Sequence, residues 1–307
     1  RNNPVLVEVY RGSSVESVHR GAAVVTAPSG DILAAWGHVD AMIYPRSAIK
    51  PFQAIPLVQT GAIDRYRLGA AEIALASASH SGQSAHVAAV ASWLARIGLS
   101  EDALGCGPHW PIDAEAAGAL VREGVEPTPI HNNCSGKHAG FLTTTLHLGN
   151  GIERYLDPTS PVQSLVREAI QDMCSVDCPK TGAAVDGCGA PAPRFPLVAL
   201  ARGFARLAAP DDLPKSRAEA CRRITDAMVA NPRLVAGEGR FDTVAMTALG
   251  ATAVTKSGAE GVRAAALLER GVGLAVKIDD GASRAADVAM AALLRRFVKA
   301  GYNSANL

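Results

Sequence analysis

Hydrophobic and polar positions alternate at the start of the chain. Val5, Val7 and Val9 interleave with Leu6 and Glu8, Gly12-Ser13-Ser14 offers a turn, and Val15 to Val25 continues the pattern. Pro28-Ser29-Gly30-Asp31 is a second turn signal, and Ile32 to Trp36 reads as a third strand, completing a β-meander. The period then changes to that of helices. Ser84 to Gly98 places Val87, Val90, Ala91 and Leu94 at helical spacing and ends on glycine. Asp113 to Glu123 is closed by Gly124, and Ser160-Pro161 opens a helix through Met173, with serine as cap and proline in the first turn. Pro196 to Ala209 repeats an apolar stripe with Leu197, Leu200, Ala201 and Phe204, and Pro214 to Val229 is a further helix. Strands return at Thr252 to Lys256 and Val272 to Ile278, and Ser283 caps a last helix carrying Met290, Leu293, Leu294 and Phe297.

Strands at both ends around a helical middle predict one antiparallel sheet built from both parts of the chain, with helices packed on it and a helical insertion to one side. The fold class is α/β (α+β). The expected organisation is a single catalytic domain over 1–307: sheet from about 1–45 and 245–282 plus the C-terminal helix, with a mostly helical region over about 47–230. The junction of the two regions is a natural cleft.

Composition narrows the choices. The 307 residues are 48% hydrophobic and 19% charged, which suits a folded chain with a sizeable core. Thirty basic and 29 acidic residues leave a formal charge of +1 with no long basic run, so a nucleic-acid partner is not expected. The apolar runs are too short to span a bilayer, and Arg1 to Glu8 lack the pattern of a secretory signal. Six cysteines in this length do not resemble a disulfide framework. The cytoplasm is the expected compartment, with reduced thiols.

Candidate chemistry begins at Tyr44-Pro45-Arg46-Ser47-Ala48-Ile49-Lys50-Pro51. Proline is acceptable only in the first turn of a helix, so Pro51 places a helix start near Ser47. Ser47 and Lys50 then share a face, and amides of the first turn could hold an oxyanion. Serine needs a base, and a lysine serves only when neutral, which burial or positive neighbours such as Arg46 and Lys256 would bring about. S-x-x-K alone arises often by chance. Ser77-Ala78-Ser79-His80-Ser81-Gly82 and Lys256-Ser257-Gly258 follow in the order of the serine β-lactamase and penicillin-binding group. The alternatives are an ordinary helix cap for the serine turn and a solvated strand end for Lys256.

A second constellation is His131-Asn132-Asn133-Cys134-Ser135-Gly136-Lys137-His138-Ala139-Gly140 before the apolar run Phe141 to Leu148, together with Asp186-Gly187-Cys188-Gly189. A helix N-terminus at Cys134 lowers a thiol's pKa. Cys134 could be a nucleophile with His131 or His138 as base, the two cysteines could bind a metal, or both could be buried hydrophobes. Cys106, Cys174, Cys178 and Cys221 read as structural.

These stretches, with Phe52-Gln53, Cys106-Gly107-Pro108-His109, Gly239-Arg240-Phe241-Asp242-Thr243 and Ala259-Glu260-Gly261, together resemble the asparaginase II family of the rhizobial type, the class 3 L-asparaginases. The resemblance implies hydrolysis of L-asparagine to L-aspartate and ammonia, a fold like the serine β-lactamases and glutaminases, and a homodimer. It implies two serine–lysine pairs, matching Ser47 with Lys50 and Ser79 with Lys256. It implies a zinc ion, one per chain, at Cys134, Lys137 and Cys188, aiding substrate binding rather than supplying the attacking water. Arg46, Asn133, His138 and Asp186 lie in the same motifs and are expected to bind substrate. The expected mechanism is attack by Ser47 with Lys50 as base, Ser79 and Lys256 relaying protons, and amides near Ser47 and Ser79 holding the oxyanion. The rival readings are a glutaminase, a β-lactamase-like serine hydrolase, and a non-catalytic zinc- or amino-acid-binding protein.

Overall fold

The computed structural model describes residues 2–298, so the ends of the region expected as one catalytic domain, Arg1 and 299–307, lie outside the described residues. Six strands form the main sheet: β1 (Val5–Arg11), β2 (Ser14–Thr26), β3 (Ile32–Trp36), β4 (Ala253–Ser257), β5 (Val262–Leu267) and β6 (Val272–Ile278). The order is β1-β2-β6-β5-β4, with β3 also on β2, and every pairing is antiparallel. The longer helices are α1 (Ala70–Ala76), α2 (Ser84–Arg96), α3 (Ala114–Glu123), α4 (Ser135–His147), α5 (Pro161–Cys174), α6 (Leu197–Ala208), α7 (Lys215–Ala230), α8 (Phe241–Leu249) and α9 (Ser283–Phe297). The sheet therefore draws its strands from both parts of the chain, and the helical region is inserted between β3 and β4, as the periodicity predicts.

Register explains how the sheet separates two cores. Across the strands, Val24 faces Ala275, Ala275 faces Ala264, and Ala264 faces Lys256. Strand side chains alternate between faces. Val24, Ala275, Ala264 and Val254 pack toward α6 and the helical region, whereas Val25, Leu274, Ala265 and Ala253 pack toward α9 through Met290, Leu293 and Leu294. Lys256, next to Ala264 in this row, is thereby turned toward the helical region. The alanine-rich face lets α6 lie close. A Cβ added at Gly273 would fall 1.9 Å from the Ala201 carbonyl oxygen, so only glycine fits there.

In the helical region α4 is buried almost all round. Its three threonines are satisfied: Thr143, Thr144 and Thr145 each donate to the carbonyl four residues earlier, and Trp93 Nε1 of α2 donates to Thr143 Oγ1 at 3.0 Å. The predicted caps form at α3, where Asp113 accepts from the Ala116 amide and Gly124 is left-handed, and at α5, where Ser160 accepts from Gln163. One local expectation is corrected, and one strand was not expected at all. Ser283 is the first residue of α9 rather than its cap; the cap position is Ala282, whose side chain accepts nothing, and Asp280 instead takes the Ala282 amide. Strand β5 carries the sequence Val-Arg-Ala-Ala-Ala-Leu, which lacks a strand signature, and is paired on both sides by β4 and β6. Among the described residues no helix is long and apolar enough to cross a membrane.

Candidate active site

Five segments meet where the sheet joins the helical region. The first is the tight turn Arg46–Ile49, a 3-10 turn that leads into a short helix, Lys50–Gln53, with Pro51 in its first turn as expected. Arg46 has φ of 51°, a left-handed conformation that costs a non-glycine residue about 1–2 kcal/mol. The Arg46 guanidinium reaches Asp186, with Nη2 donating to Oδ1 at 2.6 Å and Nε at 3.0 Å. Ser47 is half-buried between Arg46 and Lys50. The Lys256-Ser257-Gly258 turn packs directly on it: a Cβ at Gly258 would meet the Pro45 carbonyl oxygen at 2.5 Å and the Ala48 amide at 3.3 Å.

Of the two expected serine–lysine pairs, Ser79 with Lys256 is joined by a hydrogen bond and Ser47 with Lys50 is not. Lys50 is 1% exposed, and its Nζ donates to the Ala78 carbonyl at 2.6 Å, to Ser79 Oγ at 2.9 Å and to the Asn133 carbonyl at 3.4 Å. Three acceptors are what the three protons of an ammonium require. The helix start turns Lys50 inward, and the carbonyls of the Ser77–Gly82 turn and of Asn133 capture its amine, so the expected Lys50–Ser47 hydrogen bond is not formed. Lys256 is 0% exposed and reaches the same hydroxyl, with Nζ 3.0 Å from Ser79 Oγ and 2.8 Å from the Ser257 carbonyl. Burial, opposed by the Asp242 carboxylate and assisted by Lys50 and Arg263, draws the Lys256 pKa down to about 7. Ser79 thus sits between one lysine fully engaged as a donor and another poised to be neutral near neutral pH.

Two amides beside the serines are already engaged. The Ala48 amide donates within its own turn to the Pro45 carbonyl at 3.1 Å, and the Ser79 amide donates to the Val235 carbonyl of a distant segment at 3.0 Å.

The remaining segments bring the cysteines together. Cys134 precedes α4, and Cys188 lies at the tip of a hairpin formed by Ala183–Val185 and Pro191–Pro193, closed by the Asp186 amide donating to the Ala190 carbonyl at 2.9 Å. The two buried thiols influence each other's titration, and Lys137 Nζ donates to Cys188 Sγ at 2.9 Å. Cys188, together with Lys50 and Lys137, outweighs burial and holds the Cys134 thiol well below the usual range; Cys188 is pushed up by Cys134 and by burial. Burial pulls Lys137 down, but the two sulfurs outweigh it and raise it. Cys134 Sγ also donates to Asn133 Oδ1 at 3.0 Å, whereas His131 Nδ1 accepts from the Thr128 amide at 3.1 Å and His138 Nδ1 shares a hydrogen with the Tyr155 hydroxyl at 2.6 Å. Neither histidine is arranged as a base for Cys134. His138 Nε2 is buried without a hydrogen-bond partner among the described residues. Asp186 feels burial, which raises its pKa, but Arg46 and the Gly187 amide outweigh this and lower it. The four other cysteines are buried and free, with burial pushing Cys106 and Cys221 up to about 12 and Cys178 to about 11, in line with structural roles.

Two buried histidine and acid contacts were not assigned from sequence. His80 is kept neutral, chiefly by burial and then by His86, Lys50 and His131. The Gly82 amide donates to its Nδ1 at 3.2 Å, so the ring proton is on Nε2 and goes to Ser135 Oγ at 2.8 Å; Ser135 in turn donates to the Ile130 carbonyl at 2.9 Å. Asp242 is 2% exposed and binds the strand that carries Lys256. The Gly239–Thr243 motif was the available signal for Asp242, but it named no role.

Two serines, two buried lysines and a surplus of positive side chains make a site suited to acyl transfer through a serine ester, in which negative charge develops on the substrate. The L-asparaginase II family profile matches residues 7–305, and the chain belongs to that family of amidohydrolases. No curated protein sequence matches it. Among solved structures, a β-lactamase from Mycobacterium bovis aligns at 13% identity over 91% of this chain and 95% of that one, with a TM-score of 0.46. The tris and glutamate form of Mglu aligns at 16% identity over 96% of this chain and 63% of that one, with a TM-score of 0.48. The architecture rests on the strand pairing itself, not on these distant likenesses.

Proposed function

We propose that the chain hydrolyses L-asparagine to L-aspartate and ammonia through a serine acyl-enzyme. The observation that carries this reading is the Ser79 hydroxyl held by both Lys50 and Lys256, in a member of the L-asparaginase II family. Ser47 attacks the side-chain carbonyl carbon, forming a C–O bond. Its proton passes to the Ser79–Lys256 pair, Lys256 being the terminal base because burial leaves it neutral near neutral pH. The C–N bond then breaks, the proton returns to the departing nitrogen, and ammonia leaves. Water attacks the ester by the same proton route and frees aspartate and Ser47. Lys50 holds Ser79 in place through its hydrogen bond to Oγ. The Arg46–Asp186 pair suits the carboxylate and ammonium of an amino acid, and Asn133 and the unpartnered His138 Nε2 suit its remaining polar atoms.

Zinc fits the chemistry of the cysteine cluster. Among the described residues no three His, Cys, Asp or Glu side chains converge, so a metal here depends on the lysine as well. Two sulfurs and one amine grouped in one buried cluster are a donor set for a borderline-soft divalent ion. Cys134, Lys137 and Cys188 would hold the ion, which would supply Lewis-acid binding of a substrate polar group. The homodimer belongs to the same proposal, and sedimentation velocity measures it.

One assay tests the reaction. Ammonia release over asparagine, glutamine and a chromogenic β-lactam should favour asparagine, and Ser47→Ala should abolish it; a preference for glutamine or the β-lactam would reject the substrate assignment. A second reading, with Ser79 as nucleophile, is favoured by the direct Lys256–Ser79 hydrogen bond. Mass-spectrometric mapping of a trapped acyl-enzyme separates them: the acyl group is expected on Ser47, and finding it on Ser79 would exchange the two roles.

A further inference from the structure

We propose that Asp242 is the positioning residue for Lys256: it fastens the strand on both sides of the lysine and so aims the amine at Ser79. Asp242 stands in the first turn of α8, which packs against β4. Its Oδ1 accepts from the Thr255 hydroxyl at 2.9 Å and its Oδ2 from the Ser257 amide at 2.8 Å. Thr255 and Ser257 flank Lys256 and, by strand alternation, stand on the opposite side from it. The carboxylate therefore grips the two neighbours and leaves the lysine free to cross toward the helical region. The chain of contacts continues without a break, because the Ser257 carbonyl accepts from Lys256 Nζ at 2.8 Å and that Nζ lies 3.0 Å from Ser79 Oγ. A carboxylate with both oxygens engaged and almost no exposure is a rigid anchor, and a strand slip of a fraction of a residue would withdraw the amine from Ser79.

Asp242 also acts on the charge of Lys256. The groups facing the lysine are Asp242 from α8, Lys50 from the helix after Ser47, Arg263 from β5 and Cys134 at the start of α4. Arg263 is itself tied to Asp287 of α9 at 2.7 Å and to the Gly258 carbonyl at 3.1 Å. Asp242 is the larger of the two negative groups that oppose burial and the two cations, so it keeps the base from titrating too low to accept a proton effectively. This inference rests on the assignment of Lys256 as terminal base.

The experiment is kcat, KM and the pH profile of kcat/KM for asparagine in D242N, T255V and K256M. The asparagine of D242N can still accept from the Ser257 amide and present its own N–H to Thr255, so the grip survives while the charge is lost. Its acidic limb should move to lower pH, and kcat should fall about tenfold or more with KM little changed. T255V keeps the charge and removes one arm of the grip, so kcat should fall without movement of the acidic limb. A role in folding alone would lower Tm and leave kcat and the acidic limb at their wild-type values. If D242N does not fold, T255V decides: a lower kcat at unchanged KM supports positioning, and wild-type kcat overturns it. An inactive K256M beside wild-type kinetics in D242N and T255V would remove the role of Asp242 alone. K256M turning over at the wild-type rate would remove the base assignment and the positioning role with it.

Discussion

At the scale of single residues the site is governed by where lysines are buried. Lys256 should be essential, and K256M is expected to lose about 10²–10⁴-fold in kcat, as removal of a general base does. The pH dependence follows from its pKa of about 7: the base is protonated below that value, so kcat/KM should fall on the acid side and level off above it. Stability carries the opposite interest. In the unfolded chain this lysine binds its proton up to its ordinary value of 10.5, whereas in the folded chain it releases it near 7. Between those values the unfolded state holds more protons, so this group's contribution to stability rises with pH across that window and is weakest below it. K256M removes that cost, and its Tm gain over wild type should be largest at pH 6 and shrink by pH 10, measured by scanning calorimetry. An inactive variant with no pH-dependent gain would mean that Lys256 is not strained by burial. Sequence made Ser47, Lys50, Ser79 and Lys256 legible as a set, because their motifs are local. It did not reveal which serine the lysines grip. That depends on the carbonyls of Ala78 and Asn133, which lie 28 and 83 residues from Lys50 and capture its amine. Asp242 escaped assignment for the same reason, since its partners come from another element.

Elements with strong local signals were the ones read correctly. The helices at Ser84–Arg96, Ala114–Glu123 and Pro161–Cys174 have periodic apolar faces and identifiable ends. Strand β5 was invisible because alanine carries no strand preference, and only its place between β4 and β6, with burial on both faces, makes it extended. The same alanines let α6 approach, which leads to a contrast between two glycines. Gly273→Ala drives a Cβ into the α6 backbone and should cost about 3 kcal/mol or more, since backbone on both sides has no room to yield. Gly124→Ala meets nothing within 4 Å and bears only the left-handed cap conformation, for about 1 kcal/mol. Urea denaturation of the pair checks this, and equal losses would mean that the strand and helix are not in such close register.

At the scale of the whole molecule, the topology makes the active site a seam. The Ser47 turn follows the N-terminal strands, Lys256 ends a strand from the other end of the chain, and Ser79, Cys134 and Cys188 come from the helical insertion between them. No segment owns the site, so anything that binds across the seam should stabilise the native chain as a unit. Zinc provides the test. Cys134 and Lys137 belong to the start of α4, whereas Cys188 belongs to the hairpin tip, so an ion held by all three would tie two separate elements of the insertion. A ligand that binds only the folded state stabilises it by about 2.7 kcal/mol at a hundredfold excess over Kd. Added zinc should therefore raise the Tm of the metal-stripped protein by several degrees. The C134A/C188A variant, which lacks both sulfurs but keeps the surrounding fold, should show no zinc-dependent rise. K137M should show a smaller rise than wild type, because a donor set of two sulfurs remains. An equal zinc response in all three proteins would place the metal elsewhere and leave Lys137 as an ammonium that pairs with the thiols.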